Sequence, residues 1–85
     1  MLGAPKGFIQ TREGDLLNVR NIGSVSDYSK QAKQILAQEA IWWFQDLKLE
    51  VNKFPIIAVT CDSGVWYFQM SVQQFAARMV EALAE

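Results

Sequence analysis

The strongest constraint on the fold lies near the C-terminus, where two β-prone runs, residues 56–60 and 65–70, flank the loop Cys61-Asp62-Ser63-Gly64. β-Branched and aromatic side chains suit a pleated, half-buried surface, and a polar loop ending in glycine closes a tight turn, so a β-hairpin is expected. If Thr60 pairs with Val65, then Val59 lies opposite Trp66 and Ile57 opposite Phe68. Side chains alternate along a strand, so these four and Met70 share one face while Ile56, Ala58, Val65 and Tyr67 share the other. Both faces are apolar, and both need cover.

Cover for one face follows directly in the chain. Ser71-Val72-Gln73-Gln74 matches the Ser-x-x-Gln capping box, in which the two side chains satisfy free N–H groups at a helix start. Val72, Phe75, Ala76, Met79 and Leu83 then recur at three- and four-residue spacing. A C-terminal helix is expected, with Phe75 and Met79 in the core.

Upstream, apolar runs 7–11 and 15–22 surround Arg12-Glu13-Gly14, which predicts another hairpin. Pairing Thr11 with Asp15 sets Ile9, Leu17 and Val19 on one face and Gln10 and Asn18 on the other. Gly23, Ser24, Ser26 and Asp27 offer turn and N-cap chemistry, so a helix should start near Asp27. Tyr28, Ala32, Ile35, Leu36, Ala40, Trp43 and Leu47 continue at helical spacing. Ile41 and Phe44 project off that stripe while Glu39 and Asp46 fall within it, so this helix is either covered on two sides or ends early. Residues 47–52 alternate apolar and polar like a strand with one wet face, and Pro55 then marks a strand start, an edge or a bulge.

The sum is an α+β fold: a small antiparallel sheet of four to five strands with two helices, in the order ββαβ(β)βα. Residues 1–6 read as a loose leader, and residues 7–85 as a single domain, because 85 residues leave no room for a second core. The two hairpins echo each other in Thr11-Arg12-Glu13-Gly14 and Thr60-Cys61-Asp62-Ser63-Gly64; shared turn chemistry explains this more simply than a duplicated ββα unit.

Few chemistries are open to such a chain. It has no histidine, so acid–base work near neutrality would need a strongly perturbed carboxylate or thiol, and one cysteine without histidine does not furnish an ordinary zinc site. Neither a dinucleotide fingerprint nor a Walker loop nor an EF-hand run occurs. Cys61 stands beside Asp62, which raises a thiol pKa rather than lowering it, and the hairpin register points Cys61 to the face of Ile57 and Val59, as a small packing residue. The expectation is a non-enzyme without metal or cofactor.

Eight Lys and Arg against nine Asp and Glu leave no basic footprint, so nucleic acid is an unlikely partner. A lone cysteine excludes an intramolecular disulfide and suits a reducing, cytoplasmic setting, and no apolar run approaches the length of a membrane span.

What remains unexplained is a surplus of apolar surface. Apolar residues make up 51% of a chain too small to hide them all, and eight of the ten aromatics lie from Trp42 to Phe75. Adjacent residues of the Trp42-Trp43-Phe44 run cannot all point inward. The functional expectation is a non-catalytic interaction or accessory domain, most simply a homodimer, held by Ile41, Trp42, Trp43, Phe44, Ile56, Ala58 and Tyr67. The alternative is a small-molecule binder in which Trp42, Trp43, Trp66 and Tyr67 line an apolar pocket oriented by Arg20 or Arg78.

Overall fold

The computed structural model describes residues 5–11, 13–62 and 64–84. Most of the leader expected over residues 1–6 therefore lies outside the described residues. Strands β1 (Phe8–Gln10) and β2 (Leu16–Asn18) pair antiparallel, with Ile9 opposite Leu17. Thr11 closes their loop twice: its N–H donates to the Asp15 carbonyl at 2.8 Å and its Oγ1 accepts from the Asp15 N–H at 3.0 Å. Gly14 takes the positive φ, +92°, that the turn requires.

A 3-10 turn over Val19–Asn21 then redirects the chain into β3 (Ile22–Asp27). β3 pairs antiparallel with β4 (Ile57–Cys61), which pairs antiparallel with β5 (Gly64–Phe68), giving the strand order β3-β4-β5. The architecture is α+β, as expected, but its five strands form two sheets instead of one. The register Thr60–Val65, Val59–Trp66 and Ile57–Phe68 is the one the hairpin pattern predicts.

β3 corrects the expectation of turn and cap chemistry over residues 24–27. It is an edge strand with a bulge between Ile22 and Ser24, so it needs few apolar residues and tolerates serine on its exposed positions. Helix α1 (Ser29–Ala37) still begins where anticipated, because the Asp27 carboxylate accepts the Ser29 N–H at 2.9 Å. That hydrogen bond, with help from the Ser29 hydroxyl, lowers the Asp27 pKa.

Of the two readings of the first helix, the early end holds: α1 stops at Ala37, and α2 (Ile41–Asp46) follows as a separate helix. The break is a Schellman motif. Glu39 adopts φ +61°, its N–H donates to the Leu36 carbonyl at 2.9 Å, and the Ala40 N–H donates to the Ile35 carbonyl at 3.2 Å. α2 ends in the same way: Lys48 has φ +59°, its N–H reaches the Gln45 carbonyl at 3.1 Å, and the Leu49 N–H reaches the Phe44 carbonyl at 2.9 Å. No strand forms over 47–52, where Lys48 and Asn52 both have positive φ. The alternation there has another cause. Leu49 packs back on the last turn of α2, in one apolar cluster with Phe44, which is the contact that accompanies this helix ending. Pro55 precedes β4 in a loop and neither divides nor bulges a strand.

Helix α3 (Val72–Leu83) starts with the predicted capping box: Ser71 Oγ accepts the Gln74 N–H at 3.0 Å and Gln74 Oε1 accepts the Ser71 N–H at 2.8 Å. Its buried stripe runs through Val72, Phe75, Met79 and Ala82, while Ala76 and Leu83 are exposed. β4 separates two cores. On one side Ile57 and Val59 meet Ile9, Leu17, Val19, Phe68 and Phe75; on the other Ile56 meets Ala32, Phe44 and Leu49. α1 and α2 thus cover part of the second apolar face of the hairpin, over Ile56 and Tyr67, and leave Val65 exposed. Among the described residues no helix is long and apolar enough to cross a membrane.

Candidate functional site: the open edge of β5

The hydrogen-bonding direction of each strand follows from one bond. The Tyr28 N–H donates to the Ile56 carbonyl at 2.8 Å, continuing the β3–β4 ladder. Antiparallel ladders alternate, so Ile56, Ala58 and Thr60 turn their backbone groups towards β3, and Ile57, Val59 and Cys61 towards β5. On β5 the bonded residues are then Gly64, Trp66 and Phe68, opposite Cys61, Val59 and Ile57. Val65 and Tyr67 point their N–H and C=O groups outward, where among the described residues no strand pairs with β5.

The side chains at this edge are apolar. Val65 is 49% exposed, Trp66 and Tyr67 are half-buried, and only Phe68 is fully drawn into the core. A shallow groove of about 400 Å³ runs beside it, lined by residues 65–70, by Thr11 and Glu13 of the first hairpin, by Leu47 and Leu49 after α2, and by Arg78 of α3. Trp66 Nε1 is buried with no hydrogen-bond partner among the described residues. Just past β5 the Gln69 carboxamide acts as a clasp. Its Nε2 donates to the Glu50 carbonyl at 2.7 Å and to the Lys53 carbonyl at 3.2 Å, and its Oε1 accepts the Glu50 N–H at 3.1 Å. These bonds fasten the segment after α2 to the end of the strand and fix where the free edge stops.

Tyr67 belongs to an aromatic group on the α1–α2 side. Its ring lies 5.2 Å from Tyr28 and 5.2 Å from Trp43, both edge-on, and Trp43 meets Phe44 at 5.0 Å. Burial pushes the Tyr67 phenol pKa up, and Tyr28 beside it adds to the rise. The Schellman turn at Glu39 places this group: by swinging α2 round, it lets Trp43 and Phe44 face the sheet while Trp42 faces out.

The seven residues expected at an interface therefore divide. Trp42 at 61% and Ile41 at 42% are exposed on α2, and Trp43 and Tyr67 are half-buried. Phe44 and Ile56 are fully buried and Ala58 nearly so, which removes all three from the surface; Phe44 and Ile56 pack in one cluster with Ala32 of α1 and Leu49. Nor do the residues expected to line a ligand pocket come together. Trp66, Tyr67 and Arg78 border the β5 groove, Trp42 and Trp43 do not, and the Arg20 guanidinium lies against Gly7. Trp66 and Tyr67 moreover point to opposite faces of the sheet. The element that sequence reasoning missed is the edge itself. Its signal was present in Gly64-Val65-Trp66-Tyr67-Phe68, a β-prone run with no charge and no proline, but strand order was needed to interpret it.

Cys61 is half-buried at the end of β4, packed beside Ile57 and Val59. Among the described residues no three Asp, Glu or Cys side chains converge to hold a metal ion. Comparison of the chain with protein-family models, with curated proteins and with solved structures finds no match.

Proposed function

We propose that the chain is a non-catalytic interaction module that self-associates through an apolar surface centred on the β5 edge. The observation that carries this reading is the contrast between the two edges of the three-stranded sheet. β3 is broken by a bulge, bears Ser24 and Ser26, and ends on Asp27, all devices that discourage strand pairing. β5 has none of them. It offers open backbone groups at Val65 and Tyr67 with apolar side chains on both faces. Covering a large apolar side chain contributes about 1.5–3 kcal/mol, so Val65 and its neighbours favour association. Trp42 and Ile41 on α2 are exposed as well, away from the β5 groove. One cysteine per chain suits a reducing compartment such as the cytoplasm.

Sedimentation equilibrium from about 1 to 500 µM tests the reading. A rise from the 9.6 kDa of one chain towards twice that mass, little changed by added salt, is expected, because apolar burial and backbone pairing are weakly screened. A constant 9.6 kDa throughout overturns self-association.

A further inference from the structure

We infer that the β5 edge pairs with the β5 edge of a second copy, antiparallel about a two-fold axis through Trp66, so that two three-stranded sheets join into one of six strands. This geometry rests on the self-association proposed above and specifies it. The open groups select the register. Only Val65 and Tyr67 present outward N–H and C=O groups within β5. Centring the pair on Trp66 sets Val65 of each copy opposite Tyr67 of the other, and every open donor then meets an open acceptor. Centring it on Tyr67 would set Val65 opposite Gln69. That residue lies beyond the strand, and its side chain is committed to Glu50 and Lys53.

Face matching supports the same register. Side chains directly opposite in an antiparallel pair share a face, so the half-exposed Val65 comes under Tyr67 of the second copy, and the two Trp66 side chains meet as a close, non-hydrogen-bonded pair. A two-fold pair brings like surface against like, and β5 is suited to that because it carries no charge to repel itself. The β3 edge does not serve as partner strand, since its bulge interrupts the ladder. A five-residue edge makes a small contact next to the roughly 1,200 Å² or more of standard complexes, so a weak, concentration-dependent dimer is expected.

Val65→Pro tests the contact. The Val65 N–H points outward and takes no part in the β4–β5 ladder, so proline removes an edge donor and places its ring in the path of the second strand while the hairpin keeps its bonds. Val65→Lys is the companion variant, adding charge at an exposed position. Both should sediment as monomers at concentrations where the parent is dimeric, with unchanged far-ultraviolet dichroism. The register is read by cross-linking in a Cys61→Ser background. Val65→Cys and Tyr67→Cys chains, mixed and oxidised, should form the mixed disulfide at least about tenfold faster than either forms its own, because directly opposed residues have the Cα spacing a disulfide needs. A parent dimer that both Val65 variants leave intact overturns the β5 contact while self-association stands. Preferential Tyr67–Tyr67 cross-linking overturns the centring on Trp66, and a monomeric parent overturns both proposals.

Discussion

Replacing Phe75 by alanine should remove a large part of the stability of the fold. Phe75 is fully buried, and its ring sits 5.0 Å from that of Phe68. Its cluster draws Ile9 and Leu17 from the two-stranded ribbon and Ile57, Val59 and Phe68 from the three-stranded sheet, so this one side chain helps join two sheets that share no ladder. Transfer of the lost ring costs about 1.5–3 kcal/mol, and the cavity left between two sheets and a helix raises this to about 3–5 kcal/mol. A chain of 85 residues is expected to have a stability of about 4–13 kcal/mol in all. The change is therefore between a quarter and the whole of it. With a urea slope of about 1–2 kcal/mol per molar, the unfolding midpoint should fall by roughly 1.5–5 M. If the alanine variant does not fold, Phe75→Leu keeps most of the volume and should cost about 1–2 kcal/mol. A loss below about 1 kcal/mol for the alanine variant would show that the two sheets are held together by something other than this cluster.

Two further outcomes follow from the backbone and from Tyr67. Glu39→Gly should stabilise the chain by about 1 kcal/mol in denaturant titration, since glycine adopts the φ of +61° without the steric cost that glutamate bears; a destabilisation would mean that the Glu39 side chain contributes more than its backbone strain costs. Because the folded state holds the Tyr67 pKa above the usual value of about 10, the associated stability is present below pH 10 and is lost as pH rises through the folded-state pKa. Phenolate absorbance at 295 nm should show a late transition that Tyr67→Phe removes, and a Tyr67 ionising at or below pH 10 would contradict the buried aromatic group.

Much of the fold was legible where a local rule and a tertiary demand agree. The β4–β5 register follows from alternation on both sides of a glycine-ended loop, and the start of α3 follows from two side chains three residues apart. The misreadings arose where the backbone turns without its usual markers. Glu39 and Lys48 occupy left-handed positions that glycine normally signals, so the broken stripe hinted at an early helix end without marking where it falls. The alternation over residues 47–52, read as a strand, begins with the packing of Leu49 on Phe44 at a helix ending. Ser24, Ser26 and Asp27 suggested a cap because an edge strand and a turn draw on similar residues, and only partners in β4 tell them apart. The β5 edge was hidden for a related reason. Which strand lies outermost is a property of pairing order, and residues 22–27 had not been counted as the third strand.

The bond from the Gly7 N–H to the Ala82 carbonyl joins residues seventy-five positions apart along the chain. Closing so long a loop in an unstructured chain costs about 4 kcal/mol from its logarithmic dependence on length, a cost that falls once the segments between have collapsed. The ribbon of β1 and β2 is a short two-stranded hairpin, of a kind that is marginally stable at best alone in water. Late docking onto an α3 already seated on the three-stranded sheet is the expected order of folding, with the ribbon the first unit to open on the return path. Such a departure would not unzip β3, β4 or β5, but it would bare Ile9, Leu17 and Val19 at one stroke. On that order the three-stranded sheet is the body of the domain and the two-stranded ribbon its latch, where transient exposure of core surface is expected first.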